Sequence, residues 1–355
     1  SEAIIVNVTD ENDNSPVFTS STTESINEGQ TSVSTVIAGD DDGDTIAYSI
    51  DSTGRVDHAL FSIDASTGAL TMAAPDFESP TDAHGTPNNN VYGVTVKATD
   101  NGTGNLTATH DISVTVVNVN EQPVITSSAT FSQNENTVIT TAAADVTPTD
   151  PDGAGSFTHS IVGGADENEF TINASTGQIF FTSQRNFEAL GSAANSNDYV
   201  INVQVTDTTS ASNGALSSAI QTITITVNDV NEAPVFSSST SLSINEGETS
   251  VDTVVASDID GNGLTYSIDS TGRVDHALFS IDASTGALTM AAPDFENATD
   301  AFGTANDNVY GVTVKVTDDG SGALTATHDI SVTVINTNDS TPAFTSANAF
   351  SVAEG

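Results

Sequence analysis

The sequence contains no cysteine and no tryptophan, and its 48 Asp and Glu face only five Lys and Arg, a formal net charge of −43 over 355 residues. Without cysteine there is no disulfide framework, no thiolate zinc site and no cysteine nucleophile; secreted bacterial proteins often lack cysteine, so the compartment stays open. The negative surplus makes nucleic acid and anionic membrane surfaces poor partners, since both repel such a chain over a Debye length or more. No apolar run approaches the roughly 18 to 20 residues of a membrane-spanning helix, and no charged-then-apolar leader opens the chain. The sequence reads as a soluble piece, expected to be an excerpt of a longer protein. Acidic chains are often disordered, but 36% of these residues are hydrophobic and they follow a strict pattern.

That pattern is repeated. Tyr48–Glu78 recurs without a change as Tyr266–Glu296, 218 residues further on, and Phe170-Thr171-Ile172-Asn173-Ala174-Ser175-Thr176-Gly177 is a diverged copy of Phe61–Gly68 about half that distance along. The order is A-B-A with a unit of about 109 residues. Each boundary is a Pro after an Asn and acid cluster: Asn12-Asp13-Asn14-Ser15-Pro16, Asn120-Glu121-Gln122-Pro123, Asn231-Glu232-Ala233-Pro234 and Asn338-Asp339-Ser340-Thr341-Pro342. The expected division is residues 1–15 (last strand of a preceding repeat and linker), 16–119 (type A), 120–230 (type B), 231–337 (type A) and 338–355 (linker and first strand of a following repeat).

Within a unit apolar residues alternate with polar ones, as in Tyr92, Val94, Val96 and Ala98 around Gly93, Thr95 and Lys97, or Ile112, Val114 and Val116 around Ser113 and Thr115. A period of two buries one face of an antiparallel strand and wets the other. About seven such runs per unit predict an all-β chain of tandem seven-stranded Greek-key β-sandwiches of immunoglobulin-like architecture in a linear array, without the Cys and Trp of true immunoglobulin domains. Phe61, Ile63, Gly68 and Leu70 predict two strands joined by a tight turn. In it Gly68, like Gly177 and Gly286, supplies the positive φ, and Phe61 and Leu70 point inward.

The acids are clustered where strands end. Each unit has an early Glu (Glu28, Glu135, Glu246), then an acidic pair (Asp40 and Asp42, Asp150 and Asp152, Asp258 and Asp260). An x-Phe-Glu triplet follows (Asp76-Phe77-Glu78, Asn186-Phe187-Glu188, Asp294-Phe295-Glu296), then a late Asp (Asp100, Asp207, Asp318) and the linker. In this order and spacing the five motifs resemble those of cadherin repeats, and Val8–Phe18 resembles a cadherin inter-domain linker. The resemblance covers essentially the whole chain and recurs three times.

What the resemblance implies is calcium between successive units, held by the early Glu and triplet of one unit, the linker, and the Asp pair and late Asp of the next. Carried over, the first junction uses Glu28, Asp76, Glu78, Asn120, Glu121, Asp150, Asp152 and Asp207, and the second Glu135, Asn186, Glu188, Asn231, Glu232, Asp258, Asp260 and Asp318. Partial sets stand at the ends: Asn12, Asp13, Asn14, Asp40, Asp42 and Asp100 at one, Glu246, Asp294, Glu296, Asn338 and Asp339 at the other. The family implies up to three ions per complete junction. Independently, carboxylates, Asn side chains and backbone carbonyls are the oxygen ligands calcium takes.

Two like charges about 4 Å apart repel by roughly 4 kcal/mol at an effective dielectric of 20, and five Lys and Arg cannot neutralise such junctions. Asn186 in place of a triplet acid implies weaker binding at the second junction. The linkers before Pro123 and Pro234 are one residue shorter than that before Pro16, which bears on the ion count. The absence of Trp excludes the Trp-anchored strand exchange of vertebrate adhesive cadherins. The Ala, Ser, Thr, Asn and Asp-rich repeats look more like the cadherin-like arrays of large bacterial surface adhesins. The leading expectation is an extracellular, cell-surface stalk; the alternative is direct adhesion, homophilic or to a polysaccharide. Nothing forms a nucleophile, base and oxyanion set, so an enzyme is not expected. His58 and His276 read as surface hydrogen-bonding groups, and Asp258-x-Asp260-Gly261-Asn262-Gly263 lacks the distal Glu and helices of a helix-flanked calcium loop.

Overall fold

The computed structural model describes every residue except 1, 10, 154, 209–213, 340, 342, 344–351 and 353–355. In the first unit the alternating runs become β1 (Val17–Phe18), β2 (Thr23–Asn27), β3 (Ser32–Thr35), β4 (Ala38–Gly39), β5 (Ile46–Ile50), β6 (Phe61–Ile63), β7 (Ala69–Met72), β8 (Val91–Asp100) and β9 (Thr107–Val117). A four-stranded sheet of order β2-β9-β8-β5 faces a three-stranded sheet of order β3-β7-β6, and β1 pairs with β4. Only Val36 and Ile37 separate β3 from β4, and β1 and β2 are two parts of one entering strand that changes partner. Counted so, the unit has the seven expected strands.

The middle unit repeats the four-stranded order with Thr130–Asn134, Gln221–Asn228, Asp198–Asp207 and Phe157–Gly163, and the third with Ser241–Asn245, Thr325–Ile335, Val309–Asp318 and Leu264–Ile268. Each unit closes its own core. In the first, Val94, Val96, Ile112, Val114 and Val116 from one sheet meet Phe61, Leu70 and Met72 from the other, and equivalent clusters fill the middle and third units.

Three details differ from the expected pattern. First, the pairing is not wholly antiparallel: β2 lies parallel to β9, from Thr23 opposite Ser113 to Asn27 opposite Val117, and the middle and third units do the same. The first and last strands of a unit are joined by no hairpin, so nothing obliges them to run antiparallel. Second, Gly93 and Thr95 on the outward face of β8 are buried. The segment before β6 folds over them: Asp51 N–H donates to Thr95 O at 2.9 Å, Arg55 N–H to Thr95 Oγ1 at 3.0 Å, and Gly93 N–H to Asp57 Oδ2 at 2.9 Å. Third, residues 2–9 form no strand and are exposed, since a lone strand without a partner edge leaves its backbone groups to water. The expected first strand within 338–355 falls almost wholly outside the described residues.

The β6–β7 turn is as expected. Gly68 has φ +72°, and a Cβ there would lie 2.2 Å from Val36 O. The Asp64 carboxylate accepts the Ser66 and Thr67 N–H groups at 3.0 and 2.8 Å, which shapes the loop. Gly177 (φ +77°) and Gly286 (φ +72°) meet the same carbonyl of their own units. Left-handed backbone costs a residue with a Cβ about 1–2 kcal/mol, and here a backbone clash is added. Gly68→Ala is therefore expected to destabilise the first unit by about 2 kcal/mol or more in a denaturant titration; an unchanged midpoint would contradict this account of the turn.

Candidate metal centre

The strands end so that the acids of one unit meet the linker and the acids of the next. The early Glu is a clamp on its own unit. Glu28 accepts Phe77 N–H at 2.9 Å through Oε2 and Val119 N–H at 2.7 Å through Oε1. Glu135 does the same with Phe187 at 2.9 Å and Val230 at 2.8 Å, and Glu246 with Phe295 at 2.9 Å and Thr337 at 2.5 Å. One carboxylate thus ties the triplet loop to the start of the linker.

The linker is held equally to the unit that follows. Asn120 Nδ2 donates to Asp207 Oδ2 at 3.1 Å, and Glu121 N–H to Asp152 Oδ2 at 2.9 Å. At the second junction Asn231 Nδ2 donates to Asp318 Oδ2 at 3.3 Å and Glu232 N–H to Asp260 Oδ2 at 2.8 Å. The amino-terminal set has the same arrangement: Asn12 to Asp100 at 3.1 Å, and the Asp13 and Asn14 N–H groups to Asp42 at 3.1 and 2.9 Å. Within each Asp pair the first carboxylate accepts the N–H of the second, at 2.9 Å (Asp40), 3.0 Å (Asp150) and 3.1 Å (Asp258).

These bonds leave oxygens over. Asp40 Oδ2, Asp100 Oδ2, Glu121 Oε2, Asp150 Oδ2, Asp152 Oδ1 and Asp207 Oδ1 are buried without a hydrogen-bond partner. So are Glu232 Oε2, Asp258 Oδ2, Asp260 Oδ1 and both carboxylate oxygens of Glu188. Ligand oxygens of Glu28, Glu78 and Glu121 come within 4.8 Å of one another, as do those of Glu135, Glu188 and Asp229, of Glu188, Glu232 and Asp260, and of Glu246, Glu296 and Asp339. The arginines are engaged elsewhere, with Asp111, Glu169 and Asp329. Among the described residues no salt bridge reaches an acid of either complete junction.

The crowding shows in the protonation of the linker acids. Burial, then the Glu28, Asp152 and Glu78 carboxylates, pushes the Glu121 carboxyl up to about 7. Burial, then Glu135 and Asp260, pushes Glu232 up to about 7. Burial first and neighbouring acids second also raise Glu78, Asp150, Glu188 and Asp229. Glu246 moves the other way, lowered by the Thr337 and Phe295 N–H groups it accepts.

The first residue of the triplet has a different place. Asp76 accepts the Glu78 and Ser79 N–H groups at 3.0 and 2.9 Å, Asn186 that of Ala189 at 2.7 Å, and Asp294 that of Asn297 at 3.0 Å. Each shapes its own loop and stands outside the carboxylate groupings. Asp229, absent from the sequence-derived set, is inside one. Aligning the linkers finds it: Asn118, Asp229 and Asn336 hold the same position, two residues before the linker Asn. Asn118 and Asn336 instead donate to Glu78 and Glu296, at 3.2 and 2.8 Å. His58 is half-buried, its Nδ1 3.2 Å from Arg55 O, and lies in none of the groupings.

The donor set consists of hard oxygens, several desolvated and unpartnered, from both sides of a seam. Such a set suits a hard divalent cation with six to eight oxygen ligands, as calcium is. Glu28, Glu78, Glu121, Asp150, Asp152 and Asp207 at the first junction, and Glu135, Glu188, Asp229, Glu232, Asp258, Asp260 and Asp318 at the second, are the acids placed to hold it.

Comparison with known proteins agrees with this architecture. Residues 129–228 match the family model of the cadherin domain. The chain is 28% identical to human protocadherin Fat 1 over 98% of its length, and 30% identical to rat cadherin-23 over 96%. It spans about a tenth or less of those relatives, 7% and 10% respectively. Among solved structures, EC22–24 of mouse cadherin-23 superposes with a TM-score of 0.54 at 25% identity, covering 92% of this chain and all of that one. The middle unit is a cadherin domain, and the chain as a whole is similar to cadherin repeats in sequence and in fold.

A carboxyl that binds its proton more tightly when folded supports folding at low pH and loses that contribution as pH rises. In chelator, the stability contributed by Glu121 and Glu232 is expected to fall as pH rises from about 4.5, the ordinary Glu value, through about 7. Calcium must displace those protons, so its uptake at pH 6.5 is expected to release them. Calorimetric titration in buffers of different ionisation enthalpy measures this, and a buffer-independent heat would exclude it.

Proposed function

We propose that this chain is a calcium-stiffened segment of an extracellular, cell-surface stalk, in which ions at the two complete junctions, up to three at each, fix neighbouring β-sandwiches in line. The observation that carries the reading is the set of buried, unpartnered carboxylate oxygens at each seam: from the linker and the following unit at the first, where Glu28 and Glu78 of the preceding unit close on Glu121, and from both adjoining units and the linker at the second. Bound calcium supplies the positive charge and the oxygen coordination that those groups lack. The protein supplies the geometry. Glu28 and Glu135 hold the linker start against one unit, Asp152 and Asp260 hold its next peptide against the following unit, and the linker Asn residues bond to the late Asp. With the ions removed, the surviving contacts across the seam are hydrogen bonds worth about 1 kcal/mol each, set against repulsions of roughly 4 kcal/mol per close pair. The linker then acts as a hinge.

Small-angle scattering tests this. The maximum dimension is expected to be longer and better defined in millimolar calcium than in excess chelator, and equal values in both would refute the coupling. Glu121→Gln together with Glu232→Gln is expected to shift the calcium dependence of that change to higher concentration, by ten-fold or more. Stalk and direct adhesion part company in sedimentation and glycan-array binding. A monomer in millimolar calcium that ignores glycans is expected, whereas calcium-dependent dimers or sugar binding would favour adhesion by the repeats themselves.

A further inference from the structure

The triplet Glu residues, Glu78, Glu188 and Glu296, sit on irregular loops rather than on strands, yet a metal site needs its ligands held to within a fraction of an ångström. One side of the preceding residue is already accounted for, since the Phe N–H is given to the early Glu. The other side is held by a residue far along the chain. Asn90 Nδ2 donates to Phe77 O at 2.8 Å, Asn197 Nδ2 to Phe187 O at 3.0 Å, and Asn308 Nδ2 to Phe295 O at 3.0 Å. Each of these asparagines also ties its own carbonyl to the last strand, accepting the Val116, Val227 or Val334 N–H at 2.9, 2.8 and 2.9 Å.

We propose that Asn90, Asn197 and Asn308 are positioning residues for the metal sites, each fixing the Phe carbonyl so that the Glu that follows faces the seam. The proposal rests on the calcium reading of that seam. Three features support it. The bond spans 13 residues in the outer units but 10 in the middle one. Moreover, Asn90 and Asn308 are left-handed, with φ 61° and 64°, while Asn197 is not. The same side-chain bond is thus reached by different backbones and different loops, so it is not a by-product of one turn type. In addition, the Oδ1 atoms of all three are buried without a partner. A buried unpaired acceptor is unfavourable, and it is tolerated here three times in order to place the amide donor. The orientation follows from the carbonyl, because a flipped amide would set oxygen against oxygen.

Asn90→Gly removes the donor while preserving a residue at ease with positive φ. In the full chain, calorimetric calcium titration is expected to show about ten-fold weaker binding at the first junction, in line with the usual effect of removing a group behind a ligand. The second junction is expected to be unchanged, the steps being assigned with Glu121→Gln and Glu232→Gln. If Asn90 acts through Glu78, adding Asn90→Gly to Glu78→Gln should cost little more. In chelator, amide exchange at Phe77–Ser79 should quicken while the thermal midpoint holds. Unchanged affinity, a full additional ten-fold loss in the double variant, or a lowered chelator midpoint with unaltered exchange would each overturn the proposal. Should Asn90→Gly fail to fold, Asn197→Ala puts the same question to the second junction, where no left-handed residue is disturbed. A wild-type chain that takes up no calcium would instead overturn the reading of the seam, and the exchange measurement in chelator would still decide whether these asparagines hold the loop.

Discussion

A carboxylate oxygen that has left water and found no donor is the constraint on which this molecule turns. Burying an ionised carboxylate without a partner is costly enough that the group ordinarily takes up a proton or recruits a cation. Here the seams between units concentrate such oxygens, and the chain's few arginines are committed to Asp111, Glu169 and Asp329. The elevated Glu121 and Glu232 are the protonated half of that choice. A divalent cation is the other half, and it alone can satisfy several oxygens from two units and a linker at once.

The same constraint sorts the chain's many acids by role. Asp57 is buried, as Glu135 and Asp207 of the seams are, yet it accepts Ala83 N–H at 2.8 Å and Gly93 N–H at 2.9 Å, one on each oxygen. Asp275 does likewise in the third unit, with Ala301 and Gly311 at 2.8 and 2.9 Å. Asp166 serves the middle unit through Val200 at 2.7 Å and Ala193 at 2.5 Å. These carboxylates are internal staples that fasten the segment over β8. Burial therefore does not distinguish a structural acid from a metal ligand. What distinguishes most of the seam acids is an oxygen that no backbone donor reaches; Glu28 and Glu135 have backbone donors on both oxygens and belong to the seams by their closeness to Glu78 and Glu121, and to Glu188 and Asp229.

This explains what could and could not be read from the sequence. The alternation at Tyr92, Val94 and Val96, the turn glycine Gly68 and the ordered acidic motifs are local patterns with direct physical causes, and they located the sandwiches and the seams. Asp229 was legible only by comparing linkers with one another, since its motif partners are the neutral Asn118 and Asn336. Asn90 was not legible at all. An Asn before a strand reads as turn chemistry, and its tie to Phe77 depends on a loop closure that no local period encodes. Nor could alternation foresee the buried Gly93 and Thr95, because it describes one strand and not the segment folded across it. The parallel first strand escaped for the same reason, pairing being a property of two distant segments.

The A-B-A order adds a last step. Its two complete junctions are not copies: one runs from an A unit to a B unit, the other from B to A, so every ligand contributed by A in one is contributed by B in the other. At the first, Asp76 is an acid and Asn118 is neutral; at the second, Asn186 is neutral and Asp229 is an acid. The first seam gathers Glu28, Glu78, Glu121, Asp150, Asp152 and Asp207, with Asp76 beside them on its own loop, and the second Glu135, Glu188, Asp229, Glu232, Asp258, Asp260 and Asp318. The charge missing at Asn186 is thus set against the charge that Asp229 brings into the second seam. Coulomb attraction between a cation and nearby anions falls off smoothly with distance, so Asp76, close enough to help raise Glu78, still acts on the first seam from outside its carboxylate grouping. The two seams therefore assemble their charge from acids at different positions.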